Sequence, residues 1–320
     1  MRIMRFVLGL AAAVLMASPA AAWPDRPVKL IVPFSAGGST DVTARILAAK
    51  MSELLGQQVI VENKPGAGGT IGTEEAARAT PDGYTVILQT SSSSVINVWL
   101  YQNLAYDPVA SFRPVALATR LPNVLVVNPS LGVSTLPDLI ARLQAEPDTY
   151  TYGSSGNGTI LHLSGYLFAR MAGVEIEHVP YGGAGPAMTD LLAGHIDMMV
   201  DNLPTALGHI QSGALVAIGV TTKTRSPVLP DVPTLDESGL AGYETYSWTG
   251  IFAPAGVPDD VVARIQDAAL AALADPETRR KLEDLGNEVL AGDAAALDQF
   301  WREQLALWKP IVEGSGVTIE

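Results

Sequence analysis

The stretch VKLIVPFSAGGSTDVTARILAAKMSELL, residues 28–55, decides the predicted fold. Its first five residues, Val28–Val32, are mostly aliphatic and β-branched and predict a strand, which the small-residue loop 33–39 follows. From Thr40 to Leu55 the apolar residues recur every three or four positions, which predicts a helix that ends before Gly56. Because this order of strand, loop and helix recurs along the chain, the sequence predicts an α/β fold with a mostly parallel sheet flanked by helices.

Two series of these units follow one another and predict two lobes. In the first series, further strands are predicted at 59–61 and 84–88. In the second series, strands are predicted at 124–127, 151–152, 176–179, 196–200 and 216–221. The prolines at 227, 230 and 233 mark a linker, and the last third is predicted to be largely helical. The helices predicted there span 259–274, 276–285 and 294–312.

The composition excludes several kinds of function. With 20 basic and 33 acidic residues, the 320-residue chain carries a formal charge of −13, which disfavours binding to nucleic acid or to an anionic membrane surface. The absence of cysteine removes disulfides, thiolate catalysis and cysteine-ligated metals, and the four histidines form no H-E-x-x-H motif. We therefore expect no cofactor and no metal.

Residues 1–22 have the pattern of an export signal. Arg2 and Arg5 precede an apolar run at 6–17 that is too short to span a bilayer, and Ala20–Ala22 fits a cleavage site. We expect cleavage after Ala22 and a product that works in the periplasm.

Five loops of small residues each follow a predicted strand. In open parallel sheets ligands bind beyond the carboxyl ends of the strands, so these loops are expected to meet at one cleft. At least four of them also open a helix, whose unpaired N–H groups and partial positive charge suit a carboxylate or phosphate. Taken singly, each loop is also an ordinary tight turn. The loops contain no lysine or arginine and span 35–39, 66–70, 90–94, 154–159 and 182–185.

Two acidic residues have both a ligand-binding and a structural interpretation. Asp41 lies in the first turn of the first predicted helix, where the helix dipole favours any carboxylate. Asp201 ends a predicted strand, from which it could contact a ligand amino group or order a water. Trp248 is open to interpretation as a cleft residue or as a core residue.

Enzyme motifs are incomplete. Ile71 stands where a dinucleotide-binding G-x-G-x-x-G needs its last glycine, and Asn157 stands where the nucleophile motif G-x-S-x-G needs glycine. An exported hydrolase that uses a hydroxyl of the loop 154–159, with His162 as the base, stays open as an alternative to a binding protein.

Seven ordered motifs resemble the Bug-type receptors, the periplasmic solute-binding proteins of tripartite tricarboxylate transporters. The first, PFSAGGSTDVTAR at 33–45, looks like the opening signature of that family. The others are ENKPGAGG at 62–69, PDGYT at 81–85, YGSSGNGT at 152–159, HVPYGG at 178–183, DLLAGHID at 190–197 and APAGVP at 253–258. Three residues depart from the family pattern. Ser35 stands where the family often has proline, Lys64 where it often has arginine, and Gly182 where it often has lysine.

The resemblance implies a type II periplasmic binding protein fold, with two Rossmann-like lobes and a ligand cleft between them. Lobe 1 would comprise 23–122 and 222–320, and lobe 2 would comprise 123–221, with crossings near 117–125 and 219–224. It further implies a receptor, not an enzyme, that captures a small organic carboxylate and delivers it to integral-membrane transporter subunits. We expect a monomer. Aliphatic, aromatic, tricarboxylate and amino acid ligands all stay open, as does a sensor that feeds a signalling partner.

The resemblance also implies which residues form the two walls of the cleft. One wall would contain Phe34, Ser35, Ala36, Gly37, Gly38, Asp41, Gly69, Thr70, Thr90 and Ser91. The other would contain Ser154, Ser155, Thr159, Tyr181 and Asp201.

Overall fold

The computed structural model describes residues 23–319, so the predicted export signal lies outside the described residues. Within them, the strands are β1 (Val28–Val32), β2 (Val59–Asn63), β3 (Thr85–Thr90), β4 (Phe112–Val127), β5 (Thr151–Ser154), β6 (Glu177–Pro180), β7 (Met198–Asn202), β8 (Val216–Val220), β9 (Tyr246–Pro254) and β10 (Glu288–Gly292).

The helices alternate with the strands over most of the chain. They are α1 (Ser39–Leu55), α2 (Thr70–Ala77), α3 (Asn97–Leu100), α4 (Leu136–Ala145), α5 (Ile160–Ala172), α6 (Ala184–Ala193), α7 (Leu203–Gln211), α8 (Asp259–Ala274), α9 (Pro276–Glu283) and α10 (Ala294–Ser315). Within residues 23–319, no helix combines the length and the apolar composition that crossing a membrane requires.

The strands form one continuous sheet with two groups of parallel strands. The main path runs β2-β1-β3-β9-β4-β7-β5-β6. In the first group β1 pairs in parallel with β2 and β3, and in the second group β5 pairs in parallel with β6 and β7. The alternation of strand and helix thus produces the predicted mostly parallel α/β arrangement in each group.

Strand β4 belongs to both groups. Residues 112–122 pair antiparallel with β9, and residues 123–127 pair antiparallel with β7. Strands β10 and β8 pair with the first and second parts of β4, respectively. The change of partner between Pro122 and Asn123 falls inside the range expected for the first crossing. One 16-residue strand therefore fixes where the two groups face each other.

Helices pack on both faces of each group. In the first group α1 and α8 cover one face, around Leu47 and Ile265, and α10 covers the other, around Trp301. In the second group α4 packs on one face around Leu139, and α6 and α7 pack on the other around Leu191. The buried faces of these helices hold the loops between the layers at fixed positions.

Residues 222–245 pack against the second group. Leu235, Leu240 and Tyr243 share a buried cluster with Leu125 and Phe168 of that group. The chain returns to the first group only with β9, which pairs with β3 and β4. These contacts favour a second crossing near residue 246 over one at 219–224; the division into lobes itself stays a prediction.

Two strands interrupt the last third, which the sequence predicts to be largely helical. Strand β9 reads YSWTGIFAP and is buried on both faces, so no alternation of apolar and polar residues marks it. Strand β10 is a short partner of β4 between α9 and α10. Both strands are stabilised by pairing with a distant segment, which local patterns do not report.

Gly72 on α2 marks a close approach between this helix and the end of β1. A Cβ at this position would lie 2.8 Å from the Lys64 carbonyl oxygen and 2.9 Å from Pro33 Cα, both of which are backbone atoms. We expect Gly72→Ala to lower the free energy of unfolding by roughly 1–3 kcal/mol, the usual cost of overpacking. Urea denaturation measures this change.

Gly208→Ala is the matched control. Gly208 is also helical, but a Cβ added there meets nothing within 4 Å. This variant should keep or slightly raise the stability, because alanine favours helix over glycine by about 1 kcal/mol. Equal losses in the two variants would argue against a close approach at Gly72.

Candidate functional site

Loops of both strand groups meet at one cavity. The cavity has a volume of about 40 Å³, which is smaller than the usual small-molecule site. The lining residues are Phe34, Ser35, Gly38, Ser39, Thr40, Thr90, Ser92, Leu121, Ser155, Ile160, Leu161, Ala184, Asn202, Ser247, Trp248 and Thr249. We call the part formed by residues 34–40 and 90–92 the first wall, and the part formed by residues 154–161, Ala184 and Asn202 the second wall.

Asp41 supports the first wall from behind. It is buried, and one of its oxygens accepts the Gly37 N–H at 2.9 Å while the other accepts from Asn63 Nδ2 at 3.0 Å. Arg45 binds both oxygens, at 2.9 and 3.0 Å. Asn63 also donates to the Phe34 carbonyl oxygen at 3.1 Å. These bonds fix the backbone of the loop between β1 and α1 and leave its inner face free.

The surroundings of Asp41 keep it ionised. Burial by itself raises its pKa, but the hydrogen bonds from Arg45, Gly37 and Asn63 and the charge of Arg45 outweigh that effect and lower the pKa below its usual value. The carboxylate thus gains more from its partners than it loses by desolvation.

The hydroxyl run after β3 completes the first wall. Residues Ser92–Ile96 form a single π-helical turn, a form that is common at functional sites. The Ser93 hydroxyl accepts the Thr90 N–H at 3.0 Å, and the Ser94 hydroxyl donates to the Thr90 carbonyl oxygen at 2.7 Å. Thr90 and Ser92 line the cavity, and the hydroxyls of Ser93 and Ser94 hold the turn in shape.

Four helix starts reach the cavity. They are the first turn of α1, the first two residues of α5, Ala184 of α6, and Asn202, which precedes α7. The first N–H groups of a helix have no acceptor within the helix, and each helix start carries about half a positive charge. Among the lining residues there is no Asp, Glu, Lys, Arg or His. The lining therefore offers an anion helix-start N–H groups instead of charged side chains.

The two walls touch directly. Two hydrogen bonds join them, from Asn202 Nδ2 to Ser39 Oγ at 2.7 Å and from the Ile160 N–H to Ser92 Oγ at 3.0 Å. A third bond, from Ser35 Oγ to the Gly182 carbonyl oxygen at 3.0 Å, links the first wall to the loop before α6. Ile160 and Leu161 also share an apolar cluster with Trp248. The structure therefore has the two walls closed on each other.

A polar cluster lies where β4 passes from one group to the other. The Ser247 hydroxyl lies 2.6 Å from Asn202 Oδ1 and 3.1 Å from Asn123 Oδ1. Asn123 and Asn202 are paired residues of β4 and β7. Because Asn202 also binds Ser39, this cluster connects the crossing strand with the start of α1.

The predicted site residues fall into three sets. Five line the cavity: Phe34, Ser35, Gly38, Thr90 and Ser155. Two line an adjoining cavity on the other side of Phe34: Gly69 and Tyr181. The others do not line these cavities: Asp41, Ser91, Ser154, Thr159 and Asp201 are buried, Ala36 and Gly37 are exposed, and Thr70 starts α2.

Asp201 lies within the second group. It is fully buried, the Thr205 hydroxyl donates to its Oδ2, and its Oδ1 has no hydrogen-bond partner. Burial without a neighbouring cation raises the pKa of Asp201 to about 7. Its neighbour Asn202 lines the cavity instead.

Sequence reasoning missed several lining residues. Ser39, Thr40, Ser92, Ile160, Leu161 and Ala184 lie in or directly after the predicted loops, so helix-start geometry could have found them. Leu121, Ser247 and Thr249 lie on β4 and β9, and no local signal marks them. Trp248, which had two interpretations, is a fully buried residue that also lines the cavity.

The geometry does not suit a hydrolase. Ser154 Oγ lies 2.6 Å from Nε2 of His178, not of His162, and the serine is fully buried and does not line the cavity. The ring of His162 instead accepts the Gly158 N–H through Nδ1 at 2.9 Å. Ser154 is therefore out of reach of a ligand, and within residues 23–319 no hydroxyl of the loop 154–159 makes a hydrogen bond to the ring of His162.

A family model described as the tripartite tricarboxylate transporter family receptor, TctC, matches residues 43–317. The chain belongs to this receptor family. A relative from Pseudomonas sp. strain P51, described as a UPF0065 protein in the tcbD-tcbE intergenic region, is 38% identical over 313 residues, covering 96% of this chain and 93% of the relative. Protein BugT of Bordetella pertussis is 34% identical over 311 residues, covering 95% and 94%. The resemblance to Bug-type receptors is thus confirmed.

Solved TctC-type structures share the fold. The periplasmic binding protein BugD has a TM-score of 0.89 and 39% identity, with 93% of this chain and 100% of that chain covered. Rpa4515 of R. palustris, solved with adipate, has a TM-score of 0.90 and 37% identity, with 92% and 99% covered. MatC from Rhodopseudomonas palustris, solved with bound malate, has a TM-score of 0.86 and 35% identity, with 91% and 100% covered. The TctC family consists of periplasmic solute-binding receptors of a membrane transporter and not of enzymes, and this chain is such a receptor.

Replacing Asp41 tests the support of the first wall. We expect Asp41→Ala to weaken ligand binding tenfold or more, because the loop 34–38 loses the acceptor of the Gly37 N–H and the partner of Arg45. Isothermal titration calorimetry at pH 7 measures this loss. Asp138→Ala is the matched control, because Asp138 also lies in the first turn of a helix, α4, and the Thr135 hydroxyl donates to it. Unchanged affinity in Asp41→Ala would show that the loop keeps its shape without the carboxylate.

Proposed function

We propose that this TctC receptor captures a small organic carboxylate in the cavity between the two walls and delivers it to the membrane subunits of its transporter. It acts as a monomer in the periplasm, after cleavage behind Ala22. The single observation that carries the proposal is the meeting of four helix starts at a cavity whose lining has no charged side chain. The adipate and malate in the structures of Rpa4515 and MatC support a carboxylate as the ligand.

The wall groups can bind such an anion with useful affinity. A micromolar complex needs about −8 kcal/mol, and each hydrogen bond to a charged group contributes roughly 1.5–3 kcal/mol. The free N–H groups at the starts of α1 and α6, with the hydroxyls of Thr40, Thr90 and Ser155, offer more than the few donors required. The binding free energy beyond about −8 kcal/mol offsets the cost of immobilising the ligand and closing the walls.

The same lining disfavours an ammonium group. A ligand amino group in the cavity would lie among four partially positive helix starts with no lining carboxylate to pair with it. Asp201 does not fill this role, because it is buried within the second group and does not line the cavity. We therefore propose that the ligand is a carboxylate without an ammonium group.

Matched ligand pairs test this function. At about 1 mM, succinate or glutarate should raise the melting temperature of residues 23–320 by several degrees, since a ligand at 1,000 times its Kd stabilises by about 4 kcal/mol. Aspartate and glutamate differ from them by one ammonium group and should give no shift. Adipate, malate, citrate and benzoate complete the panel. A panel without any shift would contradict carboxylate capture, and a shift with aspartate alone would contradict the exclusion of ammonium.

Asn202 tests the closure of the walls. In Asn202→Ala the second wall loses its bond to Ser39 and its contact with Ser247. Two lost hydrogen bonds predict about a tenfold higher Kd, and small-angle scattering should show a larger radius of gyration with ligand than the parent protein has. Asn128→Ala is the control, since the Asn128 side chain makes two comparable bonds, to Ser130 and Leu191, away from the cavity. Identical affinities in both variants would show that the bond to Ser39 does not hold the walls closed.

A further inference from the structure

Two histidines form a stacked pair directly behind the second wall. The rings of His162, on α5, and His178, on β6, have centroids 3.8 Å apart and planes inclined by 9°. Tyr152 on β5 packs against the pair, with its ring centroid 4.9 Å from that of His178. Neither histidine lines the cavity. The pair therefore cannot bind the ligand directly in this structure. Any effect on the ligand has to come from the wall residues that the two rings hold in place.

Each ring holds one end of the loop that joins β5 to α5. His162 Nδ1 accepts the Gly158 N–H at 2.9 Å, and His178 Nε2 lies 2.6 Å from Ser154 Oγ. Ser154 Oγ in turn accepts the Gly156 N–H and donates towards the Gly156 carbonyl oxygen, both at 3.1 Å. The loop 154–159 is thus bound to the histidine pair at its beginning and near its end.

This loop presents second-wall groups to the cavity. Ser155 lines the cavity, and Thr159 accepts the His162 N–H and so caps the start of α5, whose first two residues also line it. Gly158 has a φ of +70°, a conformation that few residues other than glycine adopt. A shift of the loop would move both a hydroxyl and a helix start.

The bond from Gly158 requires a neutral His162 ring. An imidazole nitrogen accepts a hydrogen bond only when it carries no proton, so His162 must be protonated on Nε2 alone. Ser154 donates its one proton to Gly156, so His178 Nε2 donates to Ser154 Oγ, and this bond does not depend on the charge of the His178 ring. A proton on Nδ1 would oppose the Gly158 N–H, and a charge on one ring would lie 3.8 Å from the other ring. Burial lowers the pKa of His162 to about 4, and burial together with the charge of His162 lowers the pKa of His178 to about 3.

No charged partner offsets a proton on the pair. In residues 23–319, the only histidine within ion-pair distance of a carboxylate is His195, beside Asp190. The titratable groups on the packed elements are Tyr152 on β5, Tyr166 and Arg170 on α5, the exposed Glu177 on β6 and Asp201 on β7. None of them makes a hydrogen bond to either ring among the described residues. A protonated ring would therefore lie half-buried or buried without compensation.

We propose that His162 and His178 are positioning residues of the ligand site, which hold the loop 154–159 in its binding shape only while the ring of His162 is neutral. This role rests on the proposed carboxylate capture, which it deepens by adding a dependence on protons. Ligand affinity then falls as His162 becomes protonated, and the ligand itself need not touch either histidine.

The double variant His162→Asn/His178→Gln tests the proposal. The Asn oxygen occupies roughly the place of Nδ1 and the Gln amide roughly that of Nε2, so both bonds can form but neither residue titrates. With adipate as the probe, its Kd at pH 7 should stay within threefold of the parent value. At pH 3.5 the parent should bind about fourfold more weakly than the variant, because a group with a pKa near 4 is then mostly protonated. Because adipate titrates equally in both experiments, dividing the Kd of the parent by the Kd of the variant at each pH cancels the effect of the titration of adipate itself.

Two further measurements do not need a ligand. Histidine nitrogen NMR should find His162 as the Nε2-protonated tautomer, and the amide signals of Ser155 and Gly158 should shift with the ring titration in the parent only. Thermal unfolding shows whether protonation of the rings stabilises or destabilises the folded protein. Because the folded rings have a pKa below the unfolded value near 6.5, the folded state binds fewer protons, and the parent should lose stability relative to the variant as the pH falls from 6.5 to 4.

The outcomes separate this proposal from the proposed function. If no carboxylate binds at pH 7 but the amides follow the ring titration, carboxylate capture fails and the control of the loop by the rings stands. If adipate binds and the affinity ratio and the amides stay constant with pH, the positioning role is overturned. His195→Asn is the matched control, since His195 is exposed and contacts Asp190 instead of the loop, and it should change none of these readouts. His162→Leu removes the acceptor of the Gly158 N–H and should weaken binding at pH 7 at least tenfold, unlike the Asn variant.

Discussion

The start of a helix has N–H groups that the helix itself cannot satisfy, and the ligand site depends on where the fold places them. The parallel strands of both groups end towards the same gap, because β4 runs through both groups and sets their relative position. Helices α1, α5 and α6 begin beyond those strand ends, and α7 begins directly after β7. Unpaired N–H donors from the two groups of strands therefore face one another. Closure of the two walls becomes favourable when an anionic ligand lies between them.

An acidic protein can bind an anion in this way because the binding groups are local dipoles. The formal charge of −13 is spread over the surface, where solvent and salt screen it, whereas the helix starts act at hydrogen-bond distance. The absence of charged lining side chains has a second consequence. An arginine would bind any carboxylate strongly. Hydroxyls and backbone N–H groups form good hydrogen bonds only with a ligand whose oxygens fit their fixed directions. Selection among carboxylates then rests on shape and on apolar contacts with residues such as Leu121 and Trp248.

The sequence predicted those parts of the site that are local. The loops after β1, β3 and β5 contain their own signals of small residues and hydroxyls, so Phe34, Ser35, Thr90 and Ser155 could be expected at a cleft. Ser247 and Thr249 could not, because β9 is buried on both faces and reaches the cavity only by pairing with β4. The sequence likewise could not predict that residues 222–245 pack along the second group. Their prolines indicate a linker but not the surface against which the linker packs.

The two walls are supported by different physical means, and this difference gives them different sensitivity to protons. Behind the first wall lies an ionised carboxylate, Asp41, whose partners lower its pKa and so preserve its bonds into acid. Behind the second wall lie two uncharged rings that are held neutral by burial, so a proton added to them has no partner. As the pH falls, His162 therefore becomes protonated before Asp41 does. We expect the second wall to lose its shape first, while the loop after β1 keeps its own.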